Sequence, residues 1–512
     1  MNRIFRRKSL DHLVGETTEP HQQLKRSLGP VHLTLLGVGA IIGAGIFSTI
    51  GSAAAGGAEH LGAGPALVIS FILVAVACSF AALCYAEFAA MVPVSGSAYT
   101  YAYATLGELI AWIIGWDLIL EYAVGNVAVA ISWSDYFQSL LEGFGIHWPL
   151  WLGTDLRSAL QAAHQATAAN AVGIDPSTLG DVVARGVGAL AAAPKLLGVP
   201  VVFNLPAVLI VAVITWVLVR GIHESARFNS AMVLLKLAII AFFVIAGACY
   251  VKPEHWTPFA PNGFAGISSA AAIIFFAYIG FDAVSTAAEE ARNPQRDMPI
   301  AIISSLVVCT IIYIVVALVL TGMVPWHQLS GVADPLAKAF MDRGLNWSAG
   351  IIAFGAVFAT TSVLLVFQLG QPRILFSMAR DGLLPPWAAR VHPRFRTPHT
   401  MTILTGVLVA GFAAVTNINE VVELCNIGTL FAFVLVAVGV ILLRRTEPDR
   451  ARSFRTPLVP WIPLAAILSC GYLMAQLPWI TWLRFLIWLA VGLVFYYLYG
   501  FRHSRLNKSR GN

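Results

Sequence analysis

Charge is what this sequence has least of. Asp, Glu, Lys and Arg make up 11% of the chain, against roughly 25% in an ordinary soluble domain. A soluble protein of 512 residues would need far more polar surface. Alternating segments of about ten residues are also missing, which excludes an outer-membrane barrel. No HExxH, GxSxG or Walker pattern occurs, and the 12 histidines are scattered, so the common hydrolase and nucleotide-dependent chemistries find no site. The cysteines, Cys78, Cys84, Cys249, Cys309, Cys425 and Cys470, lie inside apolar runs without a short-spaced pair. They read as small core residues, with neither a metal centre nor a disulfide framework. The N-terminus lacks the apolar stretch of a cleavable signal, since Arg6-Arg7-Lys8 is followed by polar residues.

What is present is apolar. Hydrophobic residues make up 58% of the chain and the mean hydropathy is +0.77. Apolar runs near twenty residues recur along nearly its whole length, which predicts an all-α polytopic membrane protein. Twelve spans are expected, near 32–56, 64–91, 107–141, 202–221, 230–251, 264–288, 299–324, 347–376, 400–416, 420–443, 461–478 and 480–501. A basic tail, 1–31, precedes this 32–501 domain and a second tail, 502–512, follows it. Most of the 32 Lys and Arg residues fall on the side of the two tails, so both termini are expected to be cytoplasmic. One outer loop is long, about 142–201. Its Ala-rich stretch from Leu156 to Val172 reads as a surface helix in a variable insertion.

Two spans are irregular. The first carries Gly37, Gly39, Gly43 and Gly45 at mid-span, although each glycine costs a helix about 1 kcal/mol relative to alanine. A close small-xxx-small helix contact would explain that pattern as well as a break does. The sixth span decides between them, because Gly280 and Asp282 interrupt its apolar run at the equivalent place in a second set of five spans. Paired irregular helices point to a transporter site formed by inverted repeats. Unwound backbone is tolerated at membrane depth only where it is buried or lines a cavity. The N-terminus of a half-helix then offers N–H groups to an anion and the freed carbonyls accept from a cation. A zwitterion carries both.

The run from Leu24 to Ser52, LKRSLGPVHLTLLGVGAIIGAGIFSTIGS, resembles the first helix of the cationic amino acid transporter family of the amino acid–polyamine–organocation superfamily. The resemblance continues through Pro93 to Tyr101 (PVSGSAYTY), Ile274 to Pro299 (IFFAYIGFDAVSTAAEEARNPQRDMP) and Ala379 to Pro385 (ARDGLLP). It covers the chain apart from the outer loop. It implies a LeuT-type five-plus-five inverted repeat with helices 1 and 6 broken at mid-membrane, plus helices 11 and 12, and a bacterial-type proton-coupled member. It further implies that a substrate carboxylate meets the N–H groups of Ala44, Gly45 and Ile46. The α-amine would meet carbonyls near Ile41, Phe276, Ala277 and Ile279, with Gly43 at the break.

Ionisable residues at membrane depth are costly and are functional candidates by default. Lys236 lies mid-span with no charge within one helical turn, and burial disfavours the charged amine, which suits it to releasing a proton. In proton-coupled relatives, a lysine here occupies the place of a sodium ion. The resemblance implies that Lys236 contacts carbonyls of the broken first helix and hydroxyls of span 8, Thr361 and Ser362. Permanent pairing with a carboxylate is the structural alternative. Glu121 and Asp282 are candidates to face the substrate side chain, or to serve as packing or gate groups. Glu289, Glu290, Arg292 and Arg296 read equally as a gate network and as a solvated loop.

These features predict a secondary active transporter that imports L-amino acids, cationic or small neutral, by proton symport through alternating access. A cationic amino acid uniporter or exchanger is the alternative, and a channel or an intramembrane enzyme fits less well. Protons are the expected coupling ion and no cofactor is expected. The expected partners are a small-molecule substrate and the lipid bilayer, with no nucleic acid. The expected location is the cell inner membrane or plasma membrane.

Overall fold

Backbone amides cannot be left unpaired in an apolar medium, so a chain this hydrophobic satisfies them within helices. The structure, a computed structural model, describes residues 6–7, 28–57, 60–91, 97–171, 181–196, 198–221, 226–395 and 397–508. The rest of the basic tail and the Pro93–Gly96 portion of the second motif lie outside the described residues.

The chain opens with α1 (Pro30–Ile41), a wide π-turn (Gly45–Thr49) and α2 (Ile50–Ala55). Then come α3 (Leu67–Met91) and α4 (Ser97–Thr105). Helix α5 (Glu108–Ile119) runs through a second π-turn (Leu120–Val124) into α6 (Gly125–Gly143). The outer loop holds α7 (Leu156–Ala171), α8 (Asp181–Ala192) and a two-residue antiparallel ladder, Lys195–Leu196 against Val199–Pro200. Next are α9 (Leu205–Arg220), α10 (Ala226–Ala248) and α11 (Gly263–Ile274). Helix α11 gives way to 3₁₀ segments Phe275–Tyr278 and Asp282–Glu290. The remainder is α12 (Pro294–Met323), α13 (Pro335–Met341), α14 (Asn346–Arg380), α15 (His399–Val415), α16 (Ile418–Thr446), α17 (Trp461–Ala475) and α18 (Trp479–Phe495).

Among the described residues, eight helices are long and apolar enough to cross a membrane, and the α1–α2 pair, bent by 41°, makes a ninth. The shorter apolar helices α9, α15 and α17 coincide with three further expected spans. Leu468, Trp479, Ile245 and Val407 lie on the outside of the bundle, each more than 60% exposed, as lipid-facing side chains must be. Cys249 is also exposed while the other five cysteines are buried. The expectation of six core cysteines is therefore corrected: the apolar run around Cys249 faces outward.

The long loop is built on alanine. Ala159, Ala162, Ala166 and Ala169 are buried along one face of α7, the spacing of a helical stripe. Their small size lets α8 approach so closely that a Cβ on Gly186 would lie 2.4 Å from that of Ala162. Arg185 reaches Glu142 at 2.8 Å and Arg157 reaches Glu420 at 2.8 Å, which ties this hairpin to α6 and α16. Buried Asp155 accepts from Ser158 N at 2.7 Å, and burial pushes its carboxyl up to about 6.

Both chain ends meet at the opposite end of the bundle. Arg6 Nη1 donates to Leu506 O at 3.0 Å and Glu108 N to Arg6 O at 2.9 Å. Buried Glu108 collects hydroxyls from Tyr496, Tyr103 and Ser504.

Candidate functional site

The two interruptions lie side by side. Helix α1 ends at Ile41 and Ile42 turns extended (φ −76°, ψ 102°). The next half begins with Phe47 N donating to Gly43 O at 3.3 Å, which leaves the N–H groups of Ala44, Gly45 and Ile46 in its first turn, where helical amides have no partner inside the helix. Gly45 packs directly on the other break: a Cβ there would stand 2.3 Å from Ala277 Cα. Gly280 adopts φ +119°, a conformation open to glycine, and a Cβ there would stand 2.9 Å from the Ala40 carbonyl. The glycines thus serve contact between two unwound backbones as well as the breaks themselves.

Lys236 is 1% exposed. Its Nζ donates to Gly39 O at 2.6 Å and to Ile42 O at 3.1 Å, carbonyls on either side of the end of α1. No carboxylate pairs with it among the described residues. The hydroxyls of span 8 are engaged elsewhere, contrary to the expected contact. Thr361 Oγ1 donates to Val357 O at 2.6 Å and accepts from Trp133 Nε1 at 2.9 Å, and Ser362 Oγ donates to Ala359 O at 3.3 Å. A serine or threonine within a helix readily bonds back to the preceding turn, and that local bond competes with a distant amine.

Ile41, Ala44, Ile46, Phe276, Ala277 and Ile279 are all buried, so the broken region is sealed on every side. Glu121 sits in the π-turn between α5 and α6, and its carboxyl faces that of Asp282 across the core. Asp117, one turn earlier, is buried without a hydrogen-bond partner among the described residues, beside the close approach of Gly428. Glu289 and Glu290 have no described side chains, Arg292 is engaged, and Arg296 has no ion-pair partner among the described residues.

Three features escaped the sequence reading. Tyr313 Oη lies 3.0 Å from Ile41 O and 2.8 Å from Ala277 O, and its one O–H proton, shared between them, joins both breaks through one phenol on α12. Asn426 Nδ2 donates to Ala272 O at 2.8 Å and Ile273 O at 3.1 Å, capping the carbonyls at the end of α11. The π-turn at Glu121, a kind of bulge frequent at functional sites, changes neither composition nor apolar content. A tyrosine or asparagine inside an apolar run carries a signal only once its partner is known.

Comparison with known proteins supplies the family. The model described as "Amino acid permease" matches residues 28–498. The chain is 48% identical over 506 residues to the branched-chain amino acid permease BcaP of Bacillus subtilis, covering 99% of each. It is 47% identical over 508 residues to the methylthioribose transporter of the same organism, covering 99% of this chain and 100% of that one. Against the vacuolar cationic amino acid transporter 4 of Arabidopsis thaliana, identity is 36% over 460 residues, 88% of this chain and 68% of the relative. These relatives are named as permeases and transporters, not as enzymes. A multi-pass helical bundle with two apposed broken helices, matched over nearly all its length, belongs to the amino acid permease family.

Proposed function

We propose that this protein is a secondary active transporter that imports L-amino acids through alternating access, driven by a proton gradient, with Lys236 as the proton-carrying group. One observation carries the reading: a fully buried amine, free of any described carboxylate partner, holds the two carbonyls Gly39 O and Ile42 O at the end of the first half-helix. A protonated amine donates to both. A neutral amine holds them more weakly, and the half-helix is then released. Each proton entering down the membrane potential contributes about 2.3 kcal/mol per 100 mV. The reading includes twelve spans with cytoplasmic termini and a five-plus-five repeat.

In this reading the amide groups of Ala44, Gly45 and Ile46 take the substrate carboxylate. The carbonyls of Ile41, Phe276, Ala277 and Ile279 take the α-ammonium, sharing two acceptors with Tyr313 or displacing its hydroxyl. Binding requires the Gly45–Ala277 contact to open. The apolar walls and the kinship to a branched-chain permease favour neutral aliphatic side chains, so the weight moves away from cationic substrates. Glu121 and Asp282 face each other rather than standing as isolated carboxylates, and they are assigned to the wall behind the substrate.

Radiolabelled uptake into proteoliposomes tests this. Uptake is expected to rise as external pH falls, to be indifferent to sodium and to lose its pH dependence in Lys236→Met. Competition by leucine, isoleucine and valine should exceed that by arginine or lysine. Full proton-driven accumulation by the mutant would remove Lys236 as the proton carrier, and a wild type that never accumulates substrate on a proton gradient would support exchange or uniport. Competition by methylthioribose alone would assign a sugar substrate, in line with the other relative.

A further inference from the structure

At the end of the bundle that carries both termini, an open groove of about 580 Å³ runs between the first three turns of α12 and the loop that follows α16. The parallel bridge of Leu28 with Ala291, and Arg292 N donating to Leu28 O at 2.9 Å, fix the start of α12 beside the start of α1. The groove is therefore at the edge of the apolar zone. Its lining changes character along the helix axis. Gln295 and Arg296 stand in the first turn of α12, and Pro299, Ile300 and Ile303 lie deeper, with Ser304 as the one deep hydroxyl. At 1.5 Å per residue, Ile303 is roughly 10 Å below Arg296. Across the groove stand Ser453 and Phe454.

That second wall is held rigid. Glu87, 2% exposed, receives Arg444 Nε at 2.8 Å and Arg444 Nη2 at 2.9 Å, pairs with Arg452 Nε at 3.2 Å, and accepts from Thr456 N at 2.8 Å. Thr456 Oγ1 also donates to Leu83 O at 3.0 Å. The loop segment bearing Ser453 and Phe454 is thus pinned on both sides to α3 and α16. Arg296 is the charged residue that lines the groove, and Arg455 follows Phe454 in the chain; neither has a hydrogen-bond or ion-pair partner among the described residues. Both are exposed.

We propose that this groove binds an anionic phospholipid, with the Arg296 guanidinium on the headgroup phosphate and an acyl chain along Ile300, Ile303 and Phe454. The argument is one of complementarity. A guanidinium presents a planar fork that matches a phosphate, while the apolar lower wall matches a chain and rejects a free polar solute. The preformed shape and the sequence of polar rim over apolar depth are those of a phospholipid standing in its own leaflet, and basic pockets between helices on a membrane face are suited to such headgroups.

Native mass spectrometry of the full-length protein, titrated with phosphatidylglycerol or phosphatidylcholine of the same chains, tests the site. Wild type should retain phosphatidylglycerol several-fold over phosphatidylcholine. Arg296→Gln should lose most of that preference, and Arg157→Gln, at the other end of the bundle, should keep it. Both variants should show the wild-type unfolding temperature without added lipid, so that loss of fold does not imitate loss of the site. Equal retention of the two lipids by wild type, or an unchanged preference in Arg296→Gln, would overturn the proposal. Displacement of the lipid by millimolar glycerol phosphate would overturn it too, and would assign the groove to a soluble phosphate ester.

Discussion

Single atoms decide the behaviour of the broken helices. A methyl group at Gly45 meets backbone, 2.3 Å from Ala277 Cα, whereas one at Gly43 meets the tip of Val363 at 2.8 Å. A side-chain methyl can rotate away and a backbone cannot, so Gly45→Ala should disrupt the sealed state and lower the unfolding temperature of the substrate-free protein far more than Gly43→Ala does. Thermal unfolding of the two purified variants would distinguish them, and equal effects would contradict the close backbone contact. Tyr313→Phe removes the one proton that serves two buried carbonyls, and a buried carbonyl left unpaired costs about 1–3 kcal/mol. That variant should lower the unfolding temperature and raise hydrogen exchange on both sides of the breaks. The glycines, Lys236 and Asp282 were legible in the sequence because each is expensive where it stands. Tyr313 was not, since tyrosine is an ordinary core residue and its value here lies in two carbonyls far away along the chain.

At the scale of elements, hydrophobic length foretold the helices and missed their internal turns. A helix that widens at Leu120–Val124 buries the same residue types as one that does not, so only the backbone reveals how Glu121 is aimed. The outer hairpin shows the reverse. Its alanine content announced α7, but the fit of α8 against it needed three dimensions. Asp155 makes this hairpin sensitive to pH. Its carboxyl is raised by burial to about 6, above the roughly 3.9 of an unfolded aspartate. The folded state therefore holds a proton that the unfolded state has released between those values. The resulting stabilisation is full below about pH 4 and is lost as pH rises through about 6. Amide exchange across α7 and α8, corrected for intrinsic rates, should accelerate over that interval in wild type and stay level in Asp155→Asn. On the opposite face, Glu87→Ala removes the carboxylate partner of buried Arg452 and leaves its charge with backbone carbonyls alone. The expected cost is about 3–5 kcal/mol, read as a large fall in unfolding temperature.

For the whole molecule, the termini, the loop after α16 and the start of α12 gather at one end, and the α7–α8 hairpin covers the other. The breaks lie sealed between them, and in the proposed alternating access each end would open in turn. One feature of the outer surface makes such motion observable. Among six cysteines, Cys249 alone is exposed, and it lies just beyond α10, the helix that carries Lys236. A thiol-reactive fluorophore would therefore modify the natural protein at a single position, with no cysteine-free background to engineer. Its emission, followed in stopped-flow after a pH jump, would time the displacement of that helix directly.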